Sequence, residues 1–368
     1  MPRLTVFRAI TLSALLLFVV GSIMLMSPLL NIGSLAQNKD FALKLIYDNL
    51  ESLAPASLGG APHTKLTHLV LVPCHSVWIG DSTITDPKHI GEHDSEWAIG
   101  PKSPFLRGRT KTLKEHIKAA ANIARPDPSA LLIFSGGQTS VSSGPLSESQ
   151  SYWQLAKHLE ELVIDTEGNS LEERAVVEEY ARDSFENLLF SLSRFREYTG
   201  GYPTRITVVG YAFKEARFRE LHRAALQYPA DKFEYVGIDP PDLNQAQAAR
   251  GEQENAYLPF KADPFGCKDK VLQEKRILRN PYRRTPFYVV SAPEMFDLLT
   301  YCDHHLHVFK KLPWTSTPRA SAAAAPAPVA TNKKTSETAA EPAETKEDND
   351  NQEQNGQNEE TNTAASSS

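Results

Sequence analysis

The chain has 368 residues, 41% hydrophobic and 23% charged, which is ordinary for a globular protein able to bury a core. Its formal net charge of −6 argues against a general nucleic-acid-binding protein, which would normally be basic. The three cysteines, Cys74, Cys267 and Cys302, are widely spaced and form neither a CxxC pair nor a disulfide framework. A structural zinc site is therefore not expected.

Residues 1–40 are predicted to contain a membrane segment. Residues 12–32 carry no charge and are long enough to cross a bilayer as a helix. Gly21 and Pro28 disfavour a soluble helix but are tolerated in a membrane-spanning one. A buried soluble helix and a cleavable signal peptide remain alternatives. Lys and Arg nearly balance on the two sides, so we expect a single-pass membrane protein of undetermined orientation and compartment, contacting the lipid bilayer through residues 12–32.

Residues 41–66 predict a short amphipathic helix and a linker, and residues 67–313 predict an α/β domain. Apolar runs bounded by turn residues predict buried strands at Thr67–Cys74, Ala130–Phe134, Ala175–Glu179, Arg205–Tyr211 and Phe233–Asp239. Periodic patterns predict helices at Arg109–Arg125, Ser147–Leu159, Asp183–Tyr198 and Phe213–Tyr228. Strands alternating with helices predict a parallel sheet of about five strands, with helices on both faces and right-handed crossovers.

Residues 244–313 are interpreted as an extension of the same domain. Helices are predicted near 244–257 and 293–304, and loops at Asp263–Cys267 and Arg279–Arg284. Residues 314–368 are dominated by Ala, Pro, Thr, Glu, Asn, Gln and Ser. Such a composition predicts a disordered tail, because it offers too little apolar surface to offset the entropy of ordering.

Ser135-Gly136-Gly137-Gln138 follows the second predicted strand and precedes a helix. Glycine lets the backbone approach a ligand closely, and a helix amino terminus attracts anions. We therefore predict that this turn forms one wall of a ligand site. A tight turn without a ligand is the alternative.

Other polar residues follow the remaining strands, and ligands of open parallel sheets bind beyond the carboxyl ends of the strands. His75 follows the first strand and is a candidate general base or a structural histidine. Lys214 and Arg217 lie in the first turns of a helix, where the helix dipole disfavours cations, so a nearby anion would compensate. With Arg182 after the third strand, the set predicts a small ligand carrying phosphate or carboxylate.

The loop after the first strand holds Glu92, His93, Asp94 and Glu96. Such residues can contribute to a divalent-metal site. A solvated polar loop is the preferred interpretation, and no metal is expected.

The order of these motifs resembles the YdcF/SanA-like family, a widespread domain of unknown function. The resemblance rests on five features in chain order: the Val-Leu-Val strand with His75, the Leu-Ile-Phe-Ser-Gly-Gly turn, Ser147-Glu148, the Arg182-Asp183-Ser184-Phe185-Glu186-Asn187 helix start, and the Val-Val-Gly-Tyr strand followed by Lys214, Arg217 and His222. The longer form with Asp-Pro-Phe-Gly-Cys and an N-terminal membrane segment is similar to the fungal branch of that family.

The resemblance implies a Rossmann-like fold covering 67–239, with the extension to about 313. Bacterial members are linked to the cell envelope, and one is described as binding S-adenosylmethionine, so this cofactor or another nucleotide-like ligand is implied. The sequence departs from the family pattern at Gln150 and in the long acidic loop.

Two functional hypotheses follow. In the first, a membrane-tethered α/β domain binds a small anionic or nucleotide-like ligand, either as an enzyme or as a binding protein. His75 and Glu148 would then be acid–base or ligand-orienting groups, with Glu186 and Asn187 nearby. In the second, the chain is a non-catalytic membrane-tethered scaffold whose tail recruits protein partners.

Overall fold

The computed structural model describes residues 63–315 except 64, 85, 87, 101–103, 165–167, 169, 304, 307–308 and 310–311. The predicted membrane segment at 12–32, the helix expected within 41–66 and the predicted tail after 315 lie outside the described residues. Within the described part of the chain, no helix combines the length and hydropathy needed to cross a bilayer.

The centre of the fold is a five-stranded sheet in which every neighbouring pair is parallel, in the order β3-β2-β1-β4-β5. The strands are β1 (His68–Pro73), β2 (Ala130–Ser135), β3 (Ala175–Glu178), β4 (Arg205–Gly210) and β5 (Phe233–Gly237). All five predicted strands are confirmed, and the sheet has the doubly wound, Rossmann-like order. Unbroken apolar sequence forms these strands because both faces of the sheet are covered.

Alternate residues of each strand enter two separate cores. Leu69 and Leu71 of β1 pack into one core, and Val70 and Val72 pack into the other. The helices α1 (Lys111–Ala124) and α2 (Glu148–His158) cover the face of Val70. The opposite face is covered by α3 (Ser184–Thr199). The strand order thus reverses between β1 and β4, and the connections from these two strands run to opposite faces of the sheet, which opens a crevice at that point.

Local sequence explains where the helices on the two faces begin. Ser147 caps α2 by accepting the N–H of Gln150 at its hydroxyl, and Asp183 caps α3 by accepting the N–H of Glu186. Gly200 ends α3 with a φ of 77°, a conformation that glycine adopts without strain. These are the positions at which the sequence predicts the same helices.

The helical segment after β4 is less regular than the periodicity predicts. It comprises a 3₁₀ turn (Ala212–Lys214), a π-helix (Arg217–His222) and a short α4 (Arg223–Ala225). π-helical turns often occur at functional sites. This one carries Arg217, a predicted ligand-binding residue.

The extension after β5 packs on the same side of the sheet as α3. Its helices are α5 (Gln245–Glu252), a π-helix (Gln253–Tyr257), α6 (Leu258–Ala262), α7 (Lys270–Leu278), α8 (Tyr288–Ser291) and α9 (Phe296–Thr300). Phe260, Phe265 and Met295 join the core formed by α3. The helix predicted near 244–257 is present as α5 and the π-helix that follows it. Helix α7 was not predicted. In place of the helix expected at 293–304, the structure has the 3₁₀ turn Pro293–Met295 followed by α9.

Cys267 and Cys302 form a disulfide, so the prediction that the cysteines provide no disulfide framework is wrong. The two residues are 35 positions apart in sequence, but the extension folds back and brings their Cα atoms to 5.7 Å. Wide spacing therefore concealed a pair that only the fold brings together. Cys74 remains a free, buried thiol at the end of β1.

Candidate functional site

A cavity of about 880 Å³ opens at the carboxyl ends of the strands. It lies at the carboxyl ends of β1 and β4, where the strand order reverses and where ligands of this fold class bind. Its outer wall is formed by the extension, from Pro240 through α5 to α7. The volume is in the usual range of small-molecule sites.

The cavity brings together residues that sequence analysis assigned to four different strand ends. Seven of the predicted site residues line it: His75, Gly136, Glu148, Arg182, Asn187, Lys214 and Arg217. Four others do not line it: Ser135, Gly137, Gln138 and Glu186. The predicted location is therefore the same as that of the cavity, while the part played by individual residues differs.

The Ser-Gly-Gly turn does not present free amides to a ligand. The N–H of Gly136 donates to the carbonyl of Glu178, and the N–H of Gly137 donates to the carbonyl of Ala181. The first N–H groups of α2 are also used, because Glu148 and Ser149 donate to the carbonyls of Gly137 and Gly136. The amides of Gly136, Gly137, Glu148 and Ser149 are therefore not free for an anion, because carbonyls of β3, of the loop after it and of the turn itself already accept them.

The glycine at position 136 is required by close packing. A Cβ atom there would lie 2.9 Å from Oε2 and Cβ of Glu148 and 3.0 Å from Cβ of Cys74. The turn therefore lets the Glu148 side chain lie directly against the backbone. The contribution of Gly136 to the cavity is to make room for a carboxylate.

The predicted residues outside the cavity have protein partners. The hydroxyl of Ser135 is fully buried, 2.6 Å from Oε2 of Glu178 and 2.9 Å from Oδ1 of Asn187. Gln138 donates its amide N–H to the carbonyl of Pro145. Glu186 accepts the guanidinium of Arg182, with Nε to Oε2 at 2.9 Å. Ser135 and Glu186 therefore position two residues that line the cavity, Asn187 and Arg182.

Arg217 is already neutralised by the chain itself. Its Nε donates to Oε1 of Glu252 at 2.5 Å and its Nη2 donates to Oε2 at 3.1 Å, while Nη1 contacts the hydroxyl of Ser184. Both charged side chains are almost fully buried. Because Glu252 already balances the charge of Arg217 through this bidentate pair, we do not expect Arg217 to pair with a ligand anion.

Lys214 is the predicted cation that stays without a carboxylate partner among the described residues. Its Nζ lies 3.4 Å from Nδ1 of His75. The ammonium also lies 5.0 Å from the ring centroid of Tyr211, 5.7 Å from that of Phe213 and 5.9 Å from that of Phe105. Burial, reinforced by the positive charge of Arg217, lowers the pKa of Lys214 to about 7. An anion in the cavity would restore the charged form.

His75 and Glu148 have pKa values displaced in opposite directions. Burial, together with the charge of Lys214, holds the pKa of His75 well below its usual value, so the imidazole is neutral at pH 7. Burial raises the pKa of Glu148, opposed by a hydrogen bond from the Thr139 hydroxyl. A carboxyl with a raised pKa can donate a proton, whereas the lowered pKa leaves His75 a weak base until an anion offsets the positive charge beside it.

Sequence analysis did not assign Lys275 and Arg279 of the extension to the site. Both line the cavity, and neither forms an ion pair with a carboxylate in the described part of the chain. Arg279 donates from Nη1 to the carbonyl of Arg182 and contributes positive charge next to Lys214. The basic run from 275 to 284 was visible in the sequence, but α7 was not predicted, so nothing connected that run with the strand ends.

The acidic residues of the loop after β1 form contacts that stabilise the loop itself. Glu96 is buried, with Oε1 accepting the N–H of Gly91 and the indole N–H of Trp78. Glu92 lies 3.0 Å from Nζ of Lys114. Within the described residues, no group of three His, Cys, Asp or Glu side chains is placed to hold a metal ion. The acidic residues order the loop that carries Trp97 toward the core.

The uncharacterized protein YOR238W of Saccharomyces cerevisiae is 32% identical to the chain over 260 residues, covering 60% of this chain and 86% of the yeast protein. No family model matches the sequence. No solved structure matches it significantly.

Proposed function

The chain belongs to the family of the uncharacterized yeast protein YOR238W, and from the cavity that it carries we propose that it binds a small anionic, nucleotide-like ligand at the carboxyl ends of its strands. Lys214, Lys275 and Arg279 line the cavity without a carboxylate partner among the described residues, and this observation carries the proposal. Unpaired cations around one cavity are costly unless an anion balances them.

Aromatic side chains favour a ligand that also has a planar part. Phe105 is 43% exposed, and Tyr211 and Phe213 lie beside Lys214 on the cavity wall. The buried hydroxyl of Tyr211 has no hydrogen-bond partner among the described residues. A base or another ring could pack on Phe105 or Phe213 while phosphate groups reach the cations.

The excess of cations favours a phosphorylated ligand over S-adenosylmethionine, the ligand that the YdcF/SanA-like resemblance implies. The sulfonium of S-adenosylmethionine is positive and would add to the charge of Lys214 and Arg279. We also propose that the chain is a member of the YdcF/SanA-like family and that residues 12–32 anchor it in a membrane. His75 and Glu148 supply an acid–base pair, should the ligand be a substrate.

The experiment is a thermal-shift comparison with adenosine 5′-triphosphate, inorganic pyrophosphate and S-adenosylmethionine. A ligand at a hundredfold excess over its Kd should stabilise the fold by about 2.7 kcal/mol, which raises Tm by roughly 5–10 °C. Lys214→Gln and Arg279→Gln should each reduce the shift produced by the phosphorylated probes. Lys261→Gln removes an exposed lysine outside the cavity and should leave the shift unchanged.

The same measurement at different pH values tests the role of Lys214. Its ammonium loses the proton as pH rises through about 7, so affinity for an anion should fall by up to tenfold per pH unit above that value. Lys214→Arg remains charged and should keep its affinity. If no probe shifts the wild-type chain, the binding proposal is wrong and the scaffold hypothesis gains support. If all variants shift equally, the ligand binds elsewhere.

A further inference from the structure

Helix α7 and the loop after it, residues 270–289, form a surface that we name the α7 surface. It exposes large apolar side chains to solvent: Ile277 is 71% exposed, Leu278 54% and Phe287 75%. None of these residues belongs to either hydrophobic core. Isolated exposed apolar residues are common, but several within one short segment indicate an interaction site.

The α7 surface is also strongly basic. Between residues 270 and 284 the only acidic residue is Glu274, against six basic residues: Lys270, Lys275, Arg276, Arg279, Arg283 and Arg284. Arg276 is used internally, with Nε 2.6 Å from Oδ2 of Asp183, and Arg284 lies 3.9 Å from Glu179. The other four form no ion pair with a described carboxylate. Lys275 and Arg279 line the cavity, whereas the exposed Lys270 and Arg283 are available to an external partner.

Hydrogen bonds hold the backbone that carries the exposed apolar side chains. Asn280 closes the loop by accepting the N–H of Arg284 and donating to its carbonyl. Tyr288 is buried and donates its hydroxyl to Glu178, which fixes the neighbouring Phe287 at the surface. The backbone next to Phe287 then loses little conformational entropy when a partner covers this residue.

We propose that the α7 surface docks on the anionic phospholipid headgroups of a bilayer. The exposed Ile277, Leu278 and Phe287 would enter the boundary between headgroups and acyl chains. Lys270 and Arg283 would contact the lipid phosphates. Because Lys275 and Arg279 line the cavity as well, docking would hold the cavity mouth at the headgroup layer. The proposal does not depend on the identity of the cavity ligand.

The test is hydrogen–deuterium exchange on the full chain reconstituted in vesicles of phosphatidylcholine alone, or of phosphatidylcholine with phosphatidylserine. Any membrane segment at 12–32 is present in both preparations, so the readout is the exchange of peptides covering 277–289. These peptides should be protected in the anionic vesicles. The protection should fall as salt is raised, since salt screens exposed charges.

The double variant Ile277→Asp/Phe287→Asp should lose this protection while keeping the wild-type Tm, because both side chains are mostly exposed. Ile164→Asp is the matched control: this residue is 67% exposed in the loop before β3 and should leave the protection unchanged. Equal exchange in the two vesicle types would overturn the proposal. Protection that appears without vesicles and grows with protein concentration would also overturn it and would indicate a second copy of the chain.

Discussion

Two basic residues three positions apart on one helical segment have opposite environments. Arg217 is paired with Glu252, whereas Lys214 lies beside aromatic rings and a neutral imidazole and has no carboxylate partner in the described part of the chain. Sequence analysis treated both as ligand-binding cations, because the partner of Arg217 is 35 positions away on α5. The charge of a residue is read from the sequence, but its availability depends on which distant carboxylate the fold places beside it.

Removing Arg217 should therefore reduce stability more than it reduces ligand binding. Arg217→Ala leaves the buried carboxylate of Glu252 unpaired, which should lower the free energy of unfolding by about 3–5 kcal/mol. Replacing both partners, as in Arg217→Leu/Glu252→Leu, should restore most of that loss because no buried charge remains. Urea unfolding of both variants measures the difference. A single variant as stable as the wild type would show that solvent reaches Glu252.

At the scale of elements, the strand–turn–helix unit from β2 to α2 was found correctly but interpreted wrongly. The sequence predicts the buried strand, the glycine turn and the Ser147 cap, and all three are present. However, the amides of Gly136 and Gly137 donate to carbonyls of β3 and of the loop after it. Sequence analysis predicted β3 but not its contact with the turn. The turn positions Glu148, and the amides of its two glycines are already used within the fold.

This role of the turn predicts the effect of a single methyl group. Gly136→Ala would place Cβ 2.9 Å from Glu148 and 3.0 Å from Cβ of Cys74, so we expect a loss of about 1–3 kcal/mol from overpacking. Gly201→Ala is the control, because a Cβ there meets nothing within 4 Å. Chemical unfolding of both variants tests the prediction. Equal stability of the two would mean that Glu148 can move away from the turn without cost.

At the scale of the whole molecule, the extension after β5 completes both the core and the site. It supplies Phe260 and Met295 to the core on the α3 side of the sheet, and Lys275 and Arg279 to the cavity. The disulfide between Cys267 and Cys302 ties the start of α7 to the end of α9. The extension is therefore structurally inseparable from the α/β domain.

The disulfide predicts how the three cysteines react and how much the chain loses in stability without the bridge. Alkylation of the unfolded chain without reductant should modify only Cys74, and reductant should expose two further thiols. Cys302→Ser should lower stability by about 3–4 kcal/mol, because the bridge restricts a loop of some 35 residues in the unfolded state. Cys74→Ala should leave the bridge intact. Three alkylated cysteines without reductant would contradict the pairing.

The sequence by itself determined the five strands, their parallel arrangement, the main helix starts and the strand ends at which the cavity lies. These features depend on local patterns: apolar runs, caps at Ser147 and Asp183, and the glycines that end elements. Tertiary structure alone decided which charges are paired, which amides are free, which cysteines are joined and that α7 closes the cavity. Those outcomes depend on contacts between residues distant in sequence, such as Arg217 with Glu252, which no local pattern encodes.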